Sequence, residues 1–252
     1  TAVIYCSRFF LTYYQNMLEL ITFGDTGWGD ELLLGMIMTI MVSTSSLAFG
    51  LVIGTLFASF KLSNSLILRA IAEFYTTVVR GVPELLVIYL LFFGGGSAVM
   101  YIAKIFGYMG YIELSPFTIG TIAVGAISGA YSTEVIRGAI LAVPKGQFEA
   151  AKTLGMKKSI MSLKIIFPQV ARLALPGIGN VWQVTLKDTA LISVTGLVEI
   201  MRQSKIAAGS THEPFLFYTV AIFLYLFITS ISYQFFNRAE SKFSKGFVRE
   251  NS

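Results

Sequence analysis

Residues 32–60 run for 29 positions without an Asp, Glu, Lys or Arg, and most of those positions are apolar. A helix needs about 20 apolar residues to cross the roughly 30 Å hydrocarbon layer of a bilayer. This run is longer, so the helix tilts or projects. Four more stretches follow. Residues 85–101 are uncharged and apolar, interrupted by Gly94-Gly95-Gly96 and Ser97. Residues 114–133 and 214–237 carry no charge, whereas residues 173–198 are broken by Lys187-Asp188. The sequence therefore predicts an all-α polytopic membrane protein with five transmembrane helices within residues 31–237. Only 13% of the residues are charged, against about 25% in ordinary soluble domains. That excludes a disordered chain and a typical cytosolic enzyme. One cysteine, Cys6, and one histidine, His212, exclude an internal disulfide and offer neither a metal cluster nor a Cys–His catalytic pair.

The first 30 residues form a separate external segment. Arg8, Gln15, Asn16 and Glu19 interrupt an aromatic-rich stretch from Phe9 to Phe23, the pattern of a helix lying on the membrane surface. It lacks the order of basic flank, apolar run and cleavage site found in a signal peptide. Orientation follows from the basic residues. Fourteen of the 19 Lys and Arg fall on one side, in residues 61–80, the loop 137–172 and the tail 238–252, and four on the other. Short basic loops stay in the cytoplasm, which puts the N-terminus outside and the C-terminus inside. A nucleic-acid partner would need a folded basic domain, which these short loops do not supply.

Charged groups at mid-bilayer cost about 2.5–3.5 kcal/mol each on insertion scales, so they face a cavity or each other. Glu134, Lys187 and Asp188 are the candidates. The third span can continue to Val143, placing Glu134 in helix with Arg137 on the same face; the two form an ion pair, or Glu134 faces the pathway and attracts a cationic substrate. Lys187 and Asp188 point about 100° apart on a helix, so one of them faces a lumen or a partner, or both latch helices together. Tyr131 and Trp182 supply stacking or hydroxyl contacts to a site, or simply pack. Gly50-x-x-x-Gly54 and Gly125-x-x-x-Gly129 read as close helix contacts. Glu199, Arg202, Lys205, His212 and Glu213 read as a solvated outside loop.

The loop 137–172 is the least membrane-like part of the chain. Residues 149–154 contain strong helix formers, Gly155 can take the left-handed conformation that ends a helix, and residues 159–167 make a second short helix terminated by Pro168. Such a pair suits docking into a groove on another protein or lying as an elbow on the membrane.

Glu149-Ala150-Ala151, three residues, Gly155, nine residues, Ile165, one residue, then Phe167-Pro168 resembles the EAA loop of importer-type ABC transporter permeases, with Phe167 in place of the usual Leu. Arg80-Gly81-Val82-Pro83-Glu84, Gly129-Ala130-Tyr131-Ser132-Thr133-Glu134, Val143-Pro144-Lys145-Gly146, Leu175-Pro176-Gly177-Ile178-Gly179-Asn180, Trp182-Gln183-Val184 and Leu186-Lys187-Asp188-Thr189 are similar to the polar amino acid permease family. Within it they are nearest to Q-type subunits of histidine/lysine-arginine-ornithine and opine importers. The resemblance implies a type I importer permease in the bacterial inner (plasma) membrane. Its coupling loop, through Glu149, Ala150, Ala151, Gly155, Ile165 and Pro168, would seat in an ATP-binding subunit. The implied partners are a second permease subunit (a heterodimer, with a homodimer as the alternative), two ATP-binding subunits, an external substrate-binding protein, membrane lipid and an amino acid substrate.

The chain has no Gly-x-x-x-x-Gly-Lys-Ser/Thr phosphate loop. No cofactor is expected in it, and ATP would be bound by the partner subunits. The substrate implied is a basic amino acid or an opine, with Tyr131, Glu134, Trp182, Lys187 and Asp188 as the candidate pathway. A passive channel and a membrane-embedded enzyme are the alternatives. No catalytic motif or metal-ligand spacing supports the enzyme.

Overall fold

The computed structural model describes residues 17, 19–24, 26–108, 110 and 115–244, and all of its regular structure is helical. The surface helix expected over residues 9–23 lies mostly outside the described residues. Helix α1 (Gly29–Lys61) begins with Asp30 and Glu31 and ends with Lys61, charges that complement the helix dipole at each end. After a short turn comes α2 (Leu66–Gly81). Hydropathy marks no span in this basic stretch between the first two apolar runs. It is instead a 16-residue amphipathic helix whose Ala72 and Thr76 are buried while Leu66, Ile67 and Phe74 remain exposed.

Helix α3 (Glu84–Ile105) crosses with a π-helical turn at Leu90–Gly94, so the Gly94-Gly95-Gly96 run sits inside a helix. Helix α4 (Pro116–Ala142) starts on a capping serine: Thr118 N–H donates to Ser115 Oγ at 3.1 Å, and Pro116 occupies the first turn. The loop region 137–172 holds α5 (Lys145–Thr153) and the short α6 (Lys158–Met161). Helix α6 passes through a π-helical turn at Ser162–Ile166 directly into α7 (Phe167–Ile192). Pro168 therefore does not terminate the second short helix. It lies at the start of α7, where proline's missing N–H is not needed, and Pro176 lies within the same helix. The outside segment expected to be a loop contains α8 (Ile200–Thr211), ended by His212 in the left-handed conformation at φ 61°. Helix α9 (Pro214–Ser244) closes the described chain.

Four helices are long and apolar enough to cross a membrane: α1, α3, α4 and α9. The fifth expected span, α7, has 26 residues, about 39 Å at 1.5 Å per residue. Arg172, Asn180, Gln183, Lys187 and Asp188 dilute its apolarity. It packs against α1, α4 and α9 but does not qualify as a span by composition, so the count of five holds only approximately.

Small residues set the tightest contact, between α1 and α4. A Cβ added at Gly54 would sit 2.6 Å from Ser132 Cβ, one at Gly125 would sit 2.6 Å from Phe49, and one at Gly50 would collide with Ser128 Oγ. Removing those Cβ atoms lets the backbones approach until side chains reach across. Ser128 Oγ donates to the Ser46 carbonyl at 3.2 Å, and Ser46 Oγ donates to the Thr121 carbonyl at 3.3 Å. In a bilayer such close packing and interhelical hydrogen bonds replace the hydrophobic drive that soluble bundles use. Around the seam Val42, Ile88, Ala123, Val124, Ile127 and Ile192 form a buried apolar cluster, fixing α3 and α7 against α4.

Candidate functional site

Helix α4 carries two polar clusters on successive turns. Nearer its C-terminal end, Glu134 accepts from Lys61 Nζ at 2.5 Å and from Arg137 Nε and Nη2 at 3.0 and 2.9 Å. Lys61 also pairs with Glu73 at 2.8 Å. The Lys61 side chain is only 7% exposed, so α1, α2 and α4 are tied by a nearly buried cation held between two carboxylates. Every ionised group in this knot except the exposed Arg69 beside it has a partner. The i,i+3 pair of Glu134 with Arg137 is present, and Glu134 is committed to this network rather than to the group around Tyr131.

One turn earlier the arrangement is different. Tyr131 is the sixteenth of the 27 residues of α4. Its hydroxyl donates to Glu84 Oε1 at 3.2 Å, and the Arg80 guanidinium carbon lies 5.4 Å from its ring centroid. Asp188, on α7, is 8% exposed and interacts electrostatically with both Tyr131 and Glu84. No Lys or Arg approaches Glu84 or Asp188 within 4 Å among the described residues. Two carboxylates and an aromatic face thus converge from α3, α4 and α7, with a guanidinium from the end of α2 above the ring. Chemically such an arrangement can hold a positive group, with acceptors on one side and a ring face on the other.

Of the five pathway candidates read from the sequence, the structure brings Tyr131 and Asp188 together. Lys187 lines a cleft of ≈ 500 Å³ between α7 and α9, with Asn180, Gln183, Ser230 and Tyr233, while still acting electrostatically on Asp188. Trp182 packs beside Leu186, Ile200, Ala221 and Ile228, with its indole N–H buried and without a hydrogen-bond partner. Arg80 and Glu84 join the cluster without having been singled out as site residues. The available signal was their place at the mouth of a span, four residues apart across Gly81-Val82-Pro83.

Glu199 also departs from expectation. It is fully buried rather than solvated. Its carboxylate caps α8, accepting from Met201 N–H and Arg202 N–H at 2.8 Å each and from Tyr225 Oη–H at 2.9 Å. Burial pushes this carboxyl up to about 7, against the downward pull of those donors and of Arg202.

In the loop 137–172, α5 ends in a compact cap. Leu154 N–H reaches the Ala150 carbonyl at 3.2 Å, Gly155 N–H the Lys152 carbonyl at 2.9 Å, and Met156 N–H the Ala151 carbonyl at 3.1 Å. Gly155 has φ 67°, with nothing within 4 Å of an added Cβ, so the backbone angle rather than crowding calls for glycine. Ala151 is buried. Ile165 packs on the cluster of Ala139, Val143, Ile166, Val170 and Ala174, which clamps the loop to α4 and α7. Glu149 and Ala150 are exposed, as is Pro168. Leu154, Leu163 and Phe167 are 78%, 72% and 64% exposed, which leaves an apolar tip on a rigid, anchored base.

Residues 50–242 match the family described as binding-protein-dependent transport system inner membrane component. The chain is 54% identical to the nopaline transport system permease protein NocQ of Agrobacterium fabrum, over 91% of this chain and 98% of that protein. It is 40% identical to the histidine/lysine/arginine/ornithine transport system permease protein HisQ of Escherichia coli, over 88% of this chain and 97% of that one. Among solved structures, a chain of an amino acid ABC transporter crystallised with histidines superposes with a TM-score of 0.72 at 30% identity, covering 85% of this chain and 95% of that chain.

Proposed function

Because the chain belongs to the family of binding-protein-dependent transport system inner membrane components, we propose that it lines the path of a positively charged amino acid or opine through the membrane. It is a permease subunit of an ATP-driven amino acid or opine importer. The observation that carries the substrate class is the pair of carboxylates Glu84, which accepts from the Tyr131 hydroxyl, and Asp188, which is buried close enough to act on both, neither with a Lys or Arg within ion-pair distance among the described residues. Such charges persist in a bilayer where a ligand or water meets them. The substrates for which its relatives are named, nopaline in one and histidine, lysine, arginine and ornithine in the other, agree with a basic amino acid or an opine derived from one.

The rest of the assembly follows from the same reading. A single bundle of this size offers one wall, so a second permease subunit, related but distinct, completes the pathway; a homodimer is the alternative. The segment 137–172 faces the cytoplasm in the bacterial inner membrane, with the N-terminus outside. Its apolar tip and the exposed Glu149 and Ala150 seat in an ATP-binding subunit, one for each permease. The clamp of Ala151, Ile165 and their neighbours transmits the subunit's closure to α4 and α7, the helices that carry Tyr131 and Asp188. An external binding protein delivers the substrate. The chain itself breaks no bond. The family membership leaves the passive-channel and membrane-enzyme alternatives without support. Reconstitution in vesicles tests the proposal: arginine accumulates only with ATP and the ATP-binding subunit present. Equal accumulation without that subunit contradicts it.

A further inference from the structure

We propose that Arg80 is a tethered occupant of the cation seat at Tyr131, Glu84 and Asp188, which the positive group of an incoming substrate must displace. This rests on the reading of that cluster as part of the substrate path. Four observations lead to it. The Arg80 guanidinium already sits over the Tyr131 ring, 5.4 Å from its centroid, within the range of a cation–π contact. It is nevertheless bound loosely, since no carboxylate lies within ion-pair distance of it among the described residues. By contrast, Lys61 is clasped by two carboxylates at 2.5 and 2.8 Å.

Arg80 also stands at a joint. Helix α2 ends one residue later, Val82 is extended at φ −101° and ψ 141°, and α3 begins at Glu84 after Pro83. The Arg80 side chain is exposed and Gly81 has open space around it, so the guanidinium can leave the ring without disturbing the helices. Finally, Glu84 and Asp188 repel each other electrostatically, and Lys187, the sequence neighbour of Asp188, acts on it without coming within ion-pair distance. Arg80 offsets that repulsion while the seat is empty. A substrate ammonium or guanidinium takes over the role on arrival, and Arg80 swings clear because two like charges at one ring face repel. A neutral solute brings nothing to displace Arg80, which gives the seat a threshold in favour of cations.

The test uses the complete transporter in detergent, without its external binding protein, so that only the membrane site is read. Equilibrium binding of radiolabelled L-arginine and of agmatine, which lacks the carboxylate, is measured for the parent protein and for Arg80→Gln, Arg80→Lys and Glu84→Gln. Arg80→Met replaces Arg80→Gln if that variant does not assemble. Loss of the competing cation tightens binding of both ligands about three- to tenfold in Arg80→Gln, the range expected for removing one cation–π contact. Arg80→Lys stays near the parent value. Unchanged or weaker binding of both ligands in Arg80→Gln overturns the proposal. Weaker arginine with unchanged agmatine also overturns it, by assigning Arg80 to the substrate carboxylate instead. Glu84→Gln separates the two levels of the argument. If it weakens binding while Arg80→Gln fails to tighten it, only the role of Arg80 falls. If Glu84→Gln changes nothing, the reading of the cluster as a substrate site falls with it.

Discussion

Glu134 and Tyr131 lie three residues apart on one helix, yet the clusters around them are built on opposite rules. Around Glu134 each carboxylate has a cation, and the central Lys61 is almost sealed from solvent. Around Tyr131 the hydroxyl donates to Glu84 alone, Asp188 lies nearby without a cation in contact, and the Arg80 guanidinium sits over the ring face. In a bilayer an uncompensated charge is costly, so a set of charges that balances itself holds helices together. A set that does not balance awaits something from outside the chain. The difference separates a structural knot from a receptor more securely than depth or residue type does.

Breaking the knot has the largest effect. Lys61→Met leaves Glu73 and Glu134 without their shared cation, and loss of one partner of a buried pair is strongly destabilising. With Arg137 still pairing Glu134, about 3 kcal/mol of stability is lost, read as a fall in melting temperature of the detergent-solubilised protein; an unchanged melting temperature would make the knot ornamental. Opening the receptor acts on binding instead. Glu84→Gln weakens L-arginine binding about ten- to thirtyfold, the size of one lost charge-assisted contact, while the melting temperature moves little.

Glu199 provides a case between the two, a buried carboxylate satisfied by hydrogen bonds but not by a countercharge in contact. Its folded-state value near 7 lies above the 4.5 of an unperturbed glutamate. Folding therefore takes up a proton between those values, and the stability this gives is complete below pH 4.5 and lost as pH rises through 7. The melting temperature should be lower at pH 8 than at pH 5.5 by the equivalent of about 1–2 kcal/mol. Glu199→Gln should flatten that difference, and a difference that persists in the variant would assign it to another group. The smallest effect concerns the loop. Gly155→Ala strains a left-handed backbone by about 1 kcal/mol, leaves melting nearly unchanged and lowers transport per ATP hydrolysed. Normal transport stoichiometry would remove Gly155 from the coupling argument.

Much of the fold was legible because hydropathy along a chain reports burial in lipid directly: α1, α3, α4 and α9 lie within a few residues of the apolar runs. Helix α7 was legible in part, since its polar residues face a cleft and a neighbouring helix rather than lipid. The left-handed turn at Gly155 was readable because glycine after a run of helix formers has a local cause. The charge knot was not. Lys61 and Glu134 are 73 residues apart, and only the packing of α1 on α4 introduces them. Helix α2 was hidden by its own charges, which look like a loop until Lys61 and Tyr131 are seen to face them. Glu199 misled for the same reason, because a carboxylate beside Arg202 reads as solvated until Tyr225 arrives from a helix 26 residues away.

The most direct measurement pairs Asp188→Asn with Glu134→Gln in the complete transporter, following arginine affinity and melting temperature on the same preparations. The account predicts that Asp188→Asn loses affinity at an unchanged melting temperature and that Glu134→Gln lowers the melting temperature at unchanged affinity. The reverse pattern, or a loss of affinity of equal size in both, would contradict it.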